Sequence, residues 1–244
     1  MKMKANFIIN GKAFEFEFAP HAKLLDVLRE NGFTEVKCGC REGFCGACSV
    51  LLDGRLVNSC KIYAASAKDR EITTVKKIGT LHEPHPIQEA FVEAGAVQCG
   101  YCTPGMVLAT YTLLERNPNP TDEEIKEALD GNFCRCTGYV KIIDAVKLAG
   151  RFLRGEISPE EVRPDPDGPK LGVSHPRPSA LAKACGTAQF TADIIVPGAL
   201  ELATVRSPHP HALIKKIDFS AASKMPGVIG VMTAKDIKGT NRLK

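Results

Sequence analysis

Cys38-Gly-Cys40-Arg-Glu-Gly-Phe-Cys45-Gly-Ala-Cys48 is the stretch on which the reading of this chain turns. Counted from Cys40, with Cys60 as a more distant fourth member, it has the C-x4-C-x2-C spacing that suits a [2Fe–2S] cluster. Such a cluster needs four thiolates around two irons and backbone N–H groups aimed at its sulfurs. Glycines at 39, 43 and 46 permit positive φ and close approach. Zinc is the competing occupant. It favours two C-x2-C-like pairs set a dozen or more residues apart, which a run of Gly-spaced cysteines in one short loop does not supply. Cys38 would leave six residues before Cys45, so Cys40 fits better. Cys38 is then expected to be a small buried side chain at a strand end.

Outward from this loop, residues 6–10 and 13–18 flank Asn10-Gly11, a type I′ turn signal, and Phe14, Phe16 and Phe18 alternate with Glu15 and Glu17. A helix is expected over 21–31, stopped at Gly32. A second hairpin follows the cysteine loop and turns at Asp53-Gly54, and residues 71–75 read as a last strand. This predicts a small α+β domain over residues 1–77. From Leu81 the apolar period becomes helical, with helices expected over 87–96, 104–116, 122–129 and 140–153. Thr103 is a candidate N-cap, and Thr121-Asp-Glu-Glu124 has a capping-box pattern. These make a four-helix domain over 78–156. Six prolines between Ser158 and Ser179 mark a linker at 157–179. Residues 180–244 carry strand-like runs at 199–205 and 228–232, too few for an independent sheet, and read as an incomplete α/β segment.

A second quartet sits at the helix connections: Cys99 and Cys102, then Cys134 and Cys136. C-x2-C plus C-x-C alone would also suit zinc. Its place beside the first loop favours a second [2Fe–2S] cluster, and two one-electron centres suit a two-electron reaction that feeds one-electron carriers. Cys185, alone beyond the linker, is expected to be buried. The rest of the composition excludes more than it assigns. A net charge of +4 without a basic stripe, no Trp and four Tyr give no footing for nucleic acid. No apolar run is long enough to span a membrane. The N-terminus lacks a signal-peptide core, so a cytoplasmic location is expected, with reduced cysteines serving metal rather than disulfides.

The strings 39–48, Gln98-Cys-Gly-Tyr-Cys-Thr-Pro-Gly105 and Gly131-Asn-Phe-Cys-Arg-Cys-Thr-Gly-Tyr139 resemble the iron–sulfur part of the molybdenum hydroxylases, the xanthine oxidase and aldehyde oxidoreductase family. The resemblance continues in Pro176-Arg-Pro178, Gly186-Thr-Ala-Gln-Phe-Thr-Ala-Asp193, residues 206–212 and residues 226–236, which look like the opening of the molybdenum-binding region. It implies a β-grasp, plant-type ferredoxin domain followed by a helical [2Fe–2S] domain, and a fragment of a molybdopterin-binding domain over 180–244. It also implies that the cluster of Cys99, Cys102, Cys134 and Cys136 lies nearest the molybdopterin. That of Cys40, Cys45, Cys48 and Cys60 would pass electrons outward. Gln98 is expected to hydrogen-bond the pterin and Cys136 to contact its amino group.

Members that carry flavin in the same chain place it between these two parts. Here only the Pro-rich linker separates them, so no FAD is expected in this chain. The implied partners are a large molybdopterin-bearing subunit and a flavin subunit or external acceptor. The implied chemistry is oxidation of aldehydes, purines or other N-heterocycles. The catalytic molybdenum domain would need several hundred more residues, so this chain is expected to relay electrons with no catalytic residue of its own. A free-standing ferredoxin-like carrier and a zinc-stapled module are the alternatives.

Overall fold

The computed structural model describes residues 2–240. Residues 3–73 contain a five-stranded sheet of order β2-β1-β5-β3-β4, numbered along the chain. β1 (Met3–Ile9) and β2 (Lys12–Phe18) form the expected hairpin, with Phe7 opposite Phe14 and Ala5 opposite Phe16. The alternation in β2 sends Phe16 and Phe18 into the core, where both rings lie within 6 Å of Phe7. Their Glu neighbours stay on the open face. α1 (Leu24–Glu30) closes this core with Leu24, Leu25, Val27 and Leu28, and is shorter than the expected 21–31. β5 (Glu71–Thr73) pairs parallel to β1 and antiparallel to β3 (Ser49–Leu52), which forms a hairpin with β4 (Arg55–Asn58).

β3 is the hinge of the architecture. All of its residues are buried: Val50 and Leu52 face the sheet's own core, and Leu51 belongs to the helical core behind it. An apolar run without alternation marks a strand covered on both faces. The helical core packs around Phe91, Met106, Leu108, Ile125 and Ile142. After the single turn α2 (Val75–Ile78), it is built from α3 (Pro86–Glu93), α4 (Thr103–Arg116), α5 (Asp122–Leu129) and α6 (Val140–Leu153). Thr121 caps α5 as expected, with reciprocal hydrogen bonds to Glu124. Thr103 does not cap α4. It is the first helical residue, and Cys102 precedes it without a side-chain cap bond.

The Pro-rich stretch contains α7 (Pro159–Val162), and Arg163 beyond it pairs with Glu89 and Glu93 of α3. α8 (Ala180–Ala184) returns to the helical core with Ala180 and Ala184 buried. Contacts divide the chain into two units, the first ending at Ile195 and the second beginning at Val196. The second unit corrects the expectation of strands at 199–205 and 228–232. Its described residues form 3-10 turns at Ala222–Lys224 and Ala234–Asp236 and otherwise lack regular structure. Strands persist when a neighbouring strand takes up their N–H and C=O groups, and none pairs with these runs among the described residues. The expected segment ends at Lys244, and residues 241–244 lie outside the described ones.

Candidate metal centres

In each quartet the cysteines are neighbours in pairs: Cys40 beside Cys45, Cys48 beside Cys60, Cys99 beside Cys136 and Cys102 beside Cys134. A [2Fe–2S] unit takes two thiolates on each iron, so four cysteines in two neighbouring pairs could hold one.

The electrostatics agree. The N–H of Cys40 points at Cys45 Sγ and that of Glu42 at Cys40 Sγ, both at 3.3 Å. Burial would raise the Cys40 thiol, but the N–H groups of Glu42, Cys45 and Phe44 outweigh it and bring the pKa to about 6. Burial beside Cys60 pushes Cys48 up to about 12. In the second quartet burial raises Cys102. Cys134 is lowered against its own burial by the Thr137 hydroxyl, 3.2 Å away, and by the N–H groups of Cys136 and Thr137. A hydrogen bond with Cys99 raises Cys136. Each quartet therefore contains a sulfur already surrounded by donors, as an anionic iron–sulfur group requires.

Local backbone makes these loops possible. Gly43 and Gly46 take φ of 88° and 61°, as foreseen. Gly39 does not, and its role is space: a Cβ there would lie 2.6 Å from Cys45 Sγ. Cys38 is half-buried in the loop rather than at a strand end, and packs against the sheet core. Cys185 is fully buried.

The two loops touch. The Phe133 N–H, one residue before Cys134, donates to the Cys45 carbonyl at 2.9 Å, and Asn132 Nδ2 donates to the Gly46 carbonyl at 3.2 Å. Tyr101, between Cys99 and Cys102, donates its hydroxyl to the Cys38 carbonyl at 2.8 Å. Cys48 and Cys60 are buried, whereas Gln98, Cys99 and Cys136 are exposed. Gln98 adjoins Cys99, which meets Cys136, so the two residues expected at the pterin share an exposed corner of the second quartet. The Gln98 side chain makes no hydrogen bond among the described residues.

Sequence reasoning missed a buried ionic cluster. Asp193 accepts from Lys37 Nζ at 2.7 Å and Arg29 Nη2 at 2.9 Å, with the Asp193 side chain fully buried and that of Lys37 1% exposed. Phe190 lies under Lys37 and against Tyr101. The available signal was a lysine inside Glu35-Val-Lys-Cys38, with both its neighbours Val36 and Cys38 apolar.

Fold and thiol geometry define a protein that binds two iron–sulfur clusters in successive domains. Residues 7–74 match the model of the 2Fe-2S iron-sulfur cluster binding domain. Residues 74–147 match the [2Fe-2S] binding domain, and residues 185–244 the aldehyde oxidase and xanthine dehydrogenase a/b hammerhead domain. The nicotinate dehydrogenase small FeS subunit of Eubacterium barkeri is 50% identical over 149 residues, covering 61% of this chain and 95% of that protein. The aldehyde oxidoreductase of Megalodesulfovibrio gigas is 41% identical over 245 residues, 96% of this chain but 27% of its own length. The crystal structure of the aldehyde oxidoreductase from Desulfovibrio desulfuricans superposes with a TM-score of 0.87 at 44% identity, covering 98% of this chain and 27% of that one. The chain belongs to the xanthine dehydrogenase and aldehyde oxidoreductase family of molybdenum hydroxylases, as its iron–sulfur portion followed by the start of the molybdenum region.

Proposed function

We propose that this chain relays electrons from a molybdopterin centre, borne on a large partner subunit, through two [2Fe–2S] clusters to an external acceptor or a flavin subunit. The observation that carries the reading is that N–H and hydroxyl groups donate to the sulfurs of Cys40, Cys45 and Cys134, while hydrogen bonds join the stretches that bear the two quartets. The ligands assigned are Cys40, Cys45, Cys48 and Cys60 for one cluster, and Cys99, Cys102, Cys134 and Cys136 for the other. Each cluster, when bound, stores one electron. The chain's own residues fix the thiolates, exclude water from Cys48 and Cys60, and leave the Cys99–Cys136 corner open. That openness supports Gln98 and Cys136 as the residues that meet the pterin. In line with the family resemblance, Cys99, Cys102, Cys134 and Cys136 would hold the cluster that takes up the electron and Cys40, Cys45, Cys48 and Cys60 the one that passes it on.

The sheet with α1 packed on it is assigned as a β-grasp domain over residues 1–77, and α3 to α6 as a four-helix domain over 78–156. A linker follows at 157–179 and a molybdenum-domain fragment at 180–244. In the second unit Leu202 and Val205 are 85% and 98% exposed. So much apolar surface favours burial against the molybdenum-bearing part. Oxidation of an aldehyde or N-heterocycle in the cytoplasm is the whole-enzyme activity proposed.

Iron analysis and EPR of the reduced protein test the relay, with about four irons per chain and two distinct signals expected. Cys40→Ala should remove one signal, while Cys38→Ala should keep both. The opposite result would overturn the ligand assignment. A colourless protein containing zinc would overturn the function.

A further inference from the structure

Two cations converge on the residue before Cys99. Arg177 Nη1 and Lys183 Nζ both donate to the Gln98 carbonyl, at 2.8 and 3.1 Å. No other backbone carbonyl among the described residues receives two cationic side chains, and neither of these has a carboxylate partner there. The stem of Lys183 lies so close over Gly100 that any Cβ at that position would overlap it. Like charges held on one neutral acceptor repel. The arrangement is favourable when negative charge sits on the Cys99 side of the loop.

We propose that Arg177 and Lys183 are positioning residues for the second quartet. They clamp the loop of residues 98–100 from the end of the Pro-rich stretch and from α8, and their charge favours the reduced state of the group held there. This rests on the reading that Cys99, Cys102, Cys134 and Cys136 hold a [2Fe–2S] cluster. Such a group on four thiolates is anionic when oxidised and gains one further negative charge on reduction, with no bond made or broken. Nearby cations therefore stabilise the reduced form more than the oxidised one. The same grip on the backbone carbonyl leaves the Gln98 amide free to face outward. The end of the linker and α8 thus set the energetics of the second quartet as well as its attachment.

An EPR-monitored redox titration of the assembled enzyme tests this. Lys183→Met keeps the stem over Gly100 and drops the charge. It should lower the reduction equilibrium of the second cluster about tenfold, about 59 mV for a one-electron couple. Arg177→Gln should shift it in the same direction, and Lys183→Arg should restore the parent value. Unchanged potentials in both neutral variants would overturn the proposal. So would a Lys183→Arg protein that behaves like Lys183→Met. Loss of the second signal in Lys183→Met would overturn it as well, because methionine preserves the packing. A parent enzyme without a second EPR signal would sink the underlying cluster reading instead, so the two failures are distinguishable.

Discussion

Replacing Asp193 by alanine tests how the segment after the linker is held. The change removes the carboxylate shared by Lys37 and Arg29. Arg29 keeps the carbonyls of Thr34 and Val36. Lys37 keeps only the Ala188 carbonyl at 3.4 Å and the face of Phe190. A buried ammonium stripped of its partner costs about 3–5 kcal/mol. Lys37 regains water if the segment around Phe190 lifts away, so the loss should appear as local opening, with the sheet intact. The opening constant of residues 186–193 should rise by about two to three and a half orders of magnitude, read by native-state amide exchange. Combining Asp193→Leu with Lys37→Met should recover most of the protection, since apolar replacements spare the cost of desolvating charge. Acidity should act in the same direction. Burial would raise the Asp193 carboxyl, but Lys37, the Phe190 N–H and Arg29 hold it below the usual carboxylate range. A depressed carboxyl stabilises the fold above its unfolded value of about 3.9 and loses that contribution as pH falls through the folded one. The segment should therefore loosen only below about pH 4. Parent-like exchange in Asp193→Ala at neutral pH would refute this account.

Gly46→Ala should separate the two cysteine loops, because a Cβ there would strike the Gly131 carbonyl and Asn132 at a φ of 61°. The left-handed backbone alone costs about 1–2 kcal/mol, so a lower thermal midpoint and faster exchange at the Phe133 amide are expected. Thr121→Ala removes the cap of α5 and should cost about 1 kcal/mol by chemical denaturation, with both EPR signals unchanged.

The parts legible in the sequence are those written locally. Cysteine spacing, the Asn10-Gly11 turn, the Phe14-Phe16-Phe18 alternation and the Thr121 box each concern neighbours in the chain, and local physics determines them. The lower legibility of β3 has a tertiary cause: Val50 and Leu51 serve two cores, which a single-face reading of a hairpin does not anticipate. The Lys37–Asp193 pair joins residues more than 150 positions apart, and nothing near either residue announces the other. Residues 199–205 show the converse. Their apolar run reads as a strand, but a strand is a property of two segments, and no pairing segment lies among the described residues.

The join between the cysteine loops limits what can be substituted there. It is made of the Phe133 amide, the carbonyls of Cys38, Cys45 and Gly46, and the Asn132 and Tyr101 side chains. The Gly105 site lies so close to the Gly46 carbonyl that a Cβ there would overlap it. The acceptors are main-chain carbonyls that every residue type carries, whereas Gly46, Gly105, Asn132 and Tyr101 contribute through their side chains or the lack of one. Phe133, half exposed, is free to vary while its amide goes on donating. Tunnelling rates are steeply sensitive to distance, so in the relay proposed above this join would fix the separation on which transfer between the two centres depends.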